Sequence, residues 1–127
     1  MNEVTLKCES GELIKLSKSE TGWLTDDGRM VTEAAVVSAV ALIEAVAHEK
    51  LEFPDFYNIW PTNQVGSGKI DLAWKRPKKQ FSHIEVGISR DGASELRVWD
   101  EAPYNQISVY ENADRYLIIK YLKDKKR

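Results

Sequence analysis

An α+β domain, an antiparallel sheet packed against one long α-helix in two layers, is predicted by three patterns in this chain. Apolar and polar residues alternate along Ile70-Asp71-Leu72-Ala73-Trp74 and again along His83-Ile84-Glu85-Val86-Gly87-Ile88, the period of half-buried strands. Upstream, Val36, Val40, Ile43 and Ala47 recur at helical spacing behind Thr32, a good N-cap, and Glu33, an acid in the first turn. The 127 residues suit a single domain, 1–127, and 43% hydrophobic against 30% charged residues is a composition that folds rather than one that stays disordered.

From the N-terminus, Val4, Leu6 and Cys8 alternate and, after Ser10-Gly11, Ile14 and Leu16 follow in step, which predicts an N-terminal β-hairpin with one buried face. The helix is expected from Glu33 to Glu49; its clear polar stripe is Ser38, Glu44 and His48, so most of its circumference should be buried. Pro54 and Pro61 bracket Phe56-Tyr57-Asn58-Ile59-Trp60, and the extended bias of residues before proline predicts a short strand. The two alternating strands are joined by Arg76-Pro77-Lys78-Lys79-Gln80.

Parity decides the next turn. A two-residue Asp91-Gly92 loop would throw Ile88 opposite Glu95 and split the apolar sets between faces. A three-residue loop, Arg90-Asp91-Gly92 with Gly92 left-handed, instead pairs Val86 with Leu96, Ile84 with Val98, Glu85 with Arg97 and His83 with Trp99. Ile107-Ser108-Val109-Tyr110 predicts a further strand. Residues 112–125 carry two signals: Tyr116-Leu117-Ile118-Ile119 reads as a buried strand, whereas an Asn112 cap and a Lys-rich end favour a C-terminal helix.

Composition narrows the function. A formal charge of −2 argues against a dedicated nucleic-acid binder, so contact with nucleic acid is expected to be weak at most. A lone cysteine, Cys8, forms no intramolecular disulfide and reads as a small buried hydrophobe. The first residues lack the basic-then-apolar pattern of a secretory signal, and Ala34 to Ala47 falls short of the roughly 20 apolar residues that span a bilayer. A cytoplasmic protein without membrane attachment is expected.

Candidate chemistry is sparse. Asp71 and Glu85, on adjacent strands, suggest ligands for a divalent cation in a nuclease, in the order Asp then Glu-x-Lys of restriction-endonuclease-like enzymes, but Gly87 stands where the lysine belongs. Gly66-Ser67-Gly68-Lys69 lacks the spacing of a phosphate loop. His48, His83 and Cys8 have no paired spacing, so neither a metal nor another cofactor is expected. Lys75, Arg76, Lys78 and Lys79 form a basic hairpin tip that could meet phosphates or an acidic partner; a solvated tip is the simpler reading. The outward face of the central hairpins carries Phe81, His83 and Trp99 beside Asp71, Glu85 and Arg97, the aromatic and arginine mixture enriched at binding hot spots, unless a second layer, the N-terminal hairpin or the terminal segment, covers these aromatics.

Trp60-Pro61-Thr62, the Gly66-Ser67-Gly68 glycines, Ile70-Asp71-Leu72-Ala73-Trp74, Ile84-Glu85-Val86 and Asp91-Gly92 together resemble a widespread, uncharacterised family of small bacterial proteins. Gly22-Trp23 and Gly28 resemble that family's lead-in to the helix. The resemblance covers roughly residues 22 to 100 and brings no catalytic residues. It implies an accessory protein of mobile or toxin-antitoxin-like loci: an antitoxin, immunity or anti-defence inhibitor that occludes another protein, encoded by a neighbouring gene or a host defence system.

Overall fold

The computed structural model describes residues 2–60, 69–76, 81–100 and 106–123. The strands are β1 (Glu3–Lys7), β2 (Leu13–Lys18), β3 (Trp23–Thr25), β4 (Met30–Val31), β5 (Phe56–Trp60), β6 (Lys69–Lys75), β7 (Phe81–Ile88), β8 (Ser94–Asp100) and β9 (Gln106–Tyr110). The helices are α1 (Glu33–His48), between β4 and β5, and α2 (Arg115–Leu122), after β9. The fold is α+β, with two antiparallel meanders in place of the expected single sheet: β1-β2-β3-β4, and β5-β6-β7-β8-β9. The expected N-terminal hairpin forms, pairing Val4 with Leu16 and Leu6 with Ile14, and then continues through β3 and β4.

One turn device recurs in three hairpins. Glu9-Ser10-Gly11, Asp26-Asp27-Gly28 and Arg90-Asp91-Gly92 are each three-residue loops that end in a glycine with φ of 94°, 86° and 90°. In each, the residue before the loop accepts from the glycine N–H and donates to the carbonyl of the residue after it (Cys8 and Glu12, Thr25 and Arg29, Ser89 and Ala93). This is a type I turn closed by a glycine bulge, whose sense of twist suits flanking strands. The third of these loops gives the register that parity predicts, Val86 opposite Leu96 and Ile84 opposite Val98.

Helix α1 clamps that loop. The Thr32 hydroxyl accepts from Ala35 N–H, capping the helix, and donates to the Arg90 carbonyl at 2.6 Å; the Ser38 hydroxyl donates to the Gly92 carbonyl at 2.8 Å. The helix ends with Lys50 left-handed, where Lys50 N–H reaches the Ala47 carbonyl and Leu51 N–H the Val46 carbonyl. Ala35, Val36, Ala39, Leu42 and Val46 are buried, but Val37 is 57% exposed, so α1 buries one face rather than most of its circumference.

The core runs from Leu6, Leu16, Trp23 and Val31 of the first sheet, across α1, to Ile70, Leu72, Trp74, Ile84, Val86, Ile88, Leu96 and Val98 of the second. Polar links join the two sheets: Arg29 Nη1 donates to the Ile59 carbonyl at 3.0 Å and the Tyr57 hydroxyl to the Lys7 carbonyl at 2.7 Å. Cys8 is buried. No described helix is long and apolar enough to cross a membrane.

The C-terminal segment is helical, shorter than the expected range and capped differently. Asn112 takes φ of 51° in the turn, and Asp114 caps the helix, its carboxylate accepting from Leu117 N–H at 2.8 Å. On α2, the Tyr121 hydroxyl hydrogen-bonds the Tyr110 hydroxyl of β9, which together with burial pushes the Tyr121 pKa from 10.0 up to about 12. A phenol whose folded pKa is raised binds its proton more tightly when folded. Its contribution is therefore whole below pH 10 and is lost as pH rises through 12. The denaturation midpoint should accordingly fall across that window, and Tyr121→Phe should flatten the fall; an equal slope in the variant would place the titrating group elsewhere.

Candidate protein-binding face

The second sheet has two unlike faces. On one, Ile70, Leu72, Trp74, Ile84, Val86, Ile88, Leu96 and Val98 are buried in the core shared with the helices. The intervening residues, of opposite parity, make the other face: Asn58 on β5, Asp71 on β6, His83, Glu85 and Gly87 on β7, Glu95, Arg97 and Trp99 on β8, and Ile107 and Val109 on β9. Here Ile107 and Val109 are 50% and 51% exposed.

At the centre of this face lies an ordered polar group. Glu85 is held from both sides: His83 Nε2 stands 2.9 Å from one carboxylate oxygen and Arg97 Nη1 3.3 Å from the other. Arg97 Nη2 also faces Glu95 at 3.6 Å. The His83 ring meets Trp99 edge-on, with centroids 4.6 Å apart and planes at 84°. The side chains of His83, Glu85 and Arg97 keep 25–30% of their surface exposed, so they are held in place without being covered.

Gly87 makes this arrangement possible. A Cβ there would lie 3.0 Å from Asp71 Oδ1 and 3.1 Å from Arg97 Nη2. The missing side chain thus leaves space in which a carboxylate from β6 and a guanidinium from β8 converge over β7. In the sequence alone, Gly87 reads only as a missing lysine. The guanidinium that meets Glu85 comes instead from the neighbouring strand, and Glu95, two residues before Arg97 on the same face, joins the group although no motif marked it.

Of the predicted face residues, Asp71, His83, Glu85, Arg97 and Trp99 are brought together and Phe81 is not. The register slips between Phe81 and His83: Phe81 pairs with Asp100 and His83 with Trp99, so β7 carries one extra residue. The bulge turns Phe81 to the helix side, where its ring meets Tyr121 edge-on at 5.0 Å. Ser82 is buried there, its hydroxyl without a hydrogen-bond partner among the described residues.

The basic tip also divides. Lys75 is exposed, its ammonium 5.6 Å from the centre of the Phe56 ring, whereas Arg76 is 5% exposed and donates to the Tyr121 and Leu122 carbonyls. Arg76 is thereby removed from any phosphate contact: its guanidinium closes the end of α2. Lys78 and Lys79, the Gly66 to Gly68 glycines, Pro61-Thr62 and the tail beyond Lys123 lie outside the described residues.

For metal chemistry the geometry offers little. Asp71 and Glu85 do share a face, but Asp71 pairs with Gly87 and Glu85 with Ala73, and both Glu85 oxygens are engaged. Among the described residues no three His, Cys, Asp or Glu side chains are grouped to hold a metal ion. A groove of about 750 Å³ between α1 and α2, unmarked in the sequence, is lined by Ala41, Ala45 and Ile119 and rimmed by exposed charges, with Lys123 and Glu49 paired at 3.0 Å. Comparison with family models, with curated proteins and with solved structures finds no match to this chain.

Proposed function

We propose that this chain is a non-catalytic protein-binding module of bacterial or phage origin, an antitoxin, immunity or anti-defence inhibitor, that occludes a partner protein with the open face of its second sheet. The observation that carries this reading is the His83–Trp99 pair set beside Arg97 and Glu85, partly exposed yet fixed by ion pairs and ring packing. Prearranged aromatics and arginines lose little freedom on association, which is what makes them hot spots. Charge points to a protein rather than a polyanion. Lys69, Lys75 and Arg97 on this face are matched by Asp71, Glu85 and Glu95, whereas phosphate backbones select a net positive surface.

Trp99→Ala tests the reading. With the partner co-purified from the native host, the variant should lose about 2 kcal/mol or more of binding, roughly 30-fold. Its melting temperature should stay near that of the unmodified chain. A stability loss of about 3–5 kcal/mol, the cost of truncating a core tryptophan, would make Trp99 a core residue, and full partner retention would put the interface elsewhere.

A further inference from the structure

Strand β9 ends the order of the second sheet, so among the described residues one of its sides has no neighbouring strand. Hydrogen-bond parity tells which groups it presents there. Ser89 N–H donates to the Ala93 carbonyl, so 89 and 93 are a hydrogen-bonded pair of the antiparallel ladder, and counting outward the same holds for Gly87 with Glu95 and Glu85 with Arg97. Arg97 therefore turns its backbone groups to β7, while Leu96 and Val98 turn theirs to β9, where they meet Tyr110 and Ser108. That leaves the N–H and C=O groups of Ile107 and Val109 on the open side. Among the described residues no backbone group outside the sheet bonds to them.

Open edges are ordinarily protected by charge, proline or a bulge. Gln106-Ile107-Ser108-Val109-Tyr110 contains no charge and no proline, and its pairing with β8 runs without a register shift. Its two outward-bonding residues are also the two exposed apolar ones.

We propose that β9 pairs antiparallel with β9 of a second copy, about a two-fold axis through Ser108, to give a dimer with a continuous ten-stranded sheet. The register is self-complementary. With Ser108 opposite its own mate, Ile107 of one copy faces Val109 of the other, and both are residues whose backbone groups point outward, so one hydrogen-bonded pair forms on each side of the axis. Their side chains share one face, so the apolar pairs match and no like charges meet, because the strand has none. An axis perpendicular to the sheet puts the His83–Trp99 faces of both copies on the same side, ready for a partner with two-fold symmetry.

Ser108→Cys reads the axis directly. Residues facing each other in a non-hydrogen-bonded pair have Cα atoms about 4.5 Å apart, within disulfide range, and the native thiol, Cys8, is buried. Mild oxidation should crosslink Ser108→Cys almost completely. Ile107→Cys should stay uncrosslinked, since it is offset from its mate by about 8 Å. Sedimentation should show a dimer with a dissociation constant on the order of tens of micromolar, as befits a small interface, weakened at least about tenfold by Val109→Lys. A chain that is monomeric up to about 1 mM with no Ser108→Cys crosslink would overturn the proposal and leave the edge to an extended segment of another protein. A dimer insensitive to Val109→Lys would overturn it in favour of another surface.

Discussion

Replacing Trp74 with alanine is expected to cost about 3–5 kcal/mol, the range for deleting a large aromatic from a packed core. Trp74 is 1% exposed, and among the fully buried side chains it is the largest. It sits between β5 and β7 on the apolar face, opposite Ile84. Its indole N–H donates to the Glu52 carbonyl at 2.9 Å, anchoring the segment between α1 and β5. A domain of this size has about 5–15 kcal/mol in all, so Trp74→Ala should be largely unfolded at moderate urea. Trp74→Phe keeps most of the volume and leaves the Glu52 carbonyl unpaired, for about 1–2 kcal/mol. Urea titrations of both variants decide the matter: a loss under about 1 kcal/mol in Trp74→Ala is incompatible with a core built on this residue.

The second large effect is expected at Arg76. The last carbonyls of a helix have no partner within it and carry the negative end of its dipole. Arg76 Nη1 and Nη2 meet the Tyr121 and Leu122 carbonyls at 3.3 and 3.0 Å in a buried setting. Arg76→Ala should cost about 2–4 kcal/mol, because charge-assisted bonds are lost and the buried Leu122 carbonyl is stranded. Arg76→Lys should recover only part, lacking the planar fork that reaches two acceptors. Amide exchange of α2 should accelerate in Arg76→Ala ahead of that of β6 and β7. Unchanged α2 protection would contradict the capping role.

What could be read from the sequence was whatever the two-residue period controls. Ile84, Val86, Leu96 and Val98 cannot share a face unless Arg90-Asp91-Gly92 is a three-residue loop, so register and the outward placement of His83, Glu85, Arg97 and Trp99 followed from parity alone. The same reasoning misplaced Phe81, because the bulge at Ser82 breaks the period and leaves no mark in composition. Arg76 misled for a related reason: beside lysines it reads as part of a solvated tip, and only the arrival of α2, distant in sequence, gives its guanidinium a buried purpose. The separate first sheet was hidden by the shortness of β3 and β4, three and two residues long, too few for alternation to register. Asn112 was an attractive cap, yet Asp114 is the one whose carboxylate can meet Leu117 N–H.

The side chain missing at Gly87 has a bearing on how such a sequence can diverge. Since the space it would take is filled by the ends of Asp71 and Arg97, positions 71, 87 and 97 share one quota of space and cannot drift independently. A relative that carries a residue larger than alanine at 87 is expected to have shortened residue 97 or moved its charge to another strand, and with it the grip on Glu85, whereas alanine asks the ends of residues 71 and 97 to give by only a few tenths of an ångström. Substitution at these three sites should therefore proceed in concert, and a change of partner would be written there as a correlated set rather than as a single exchange.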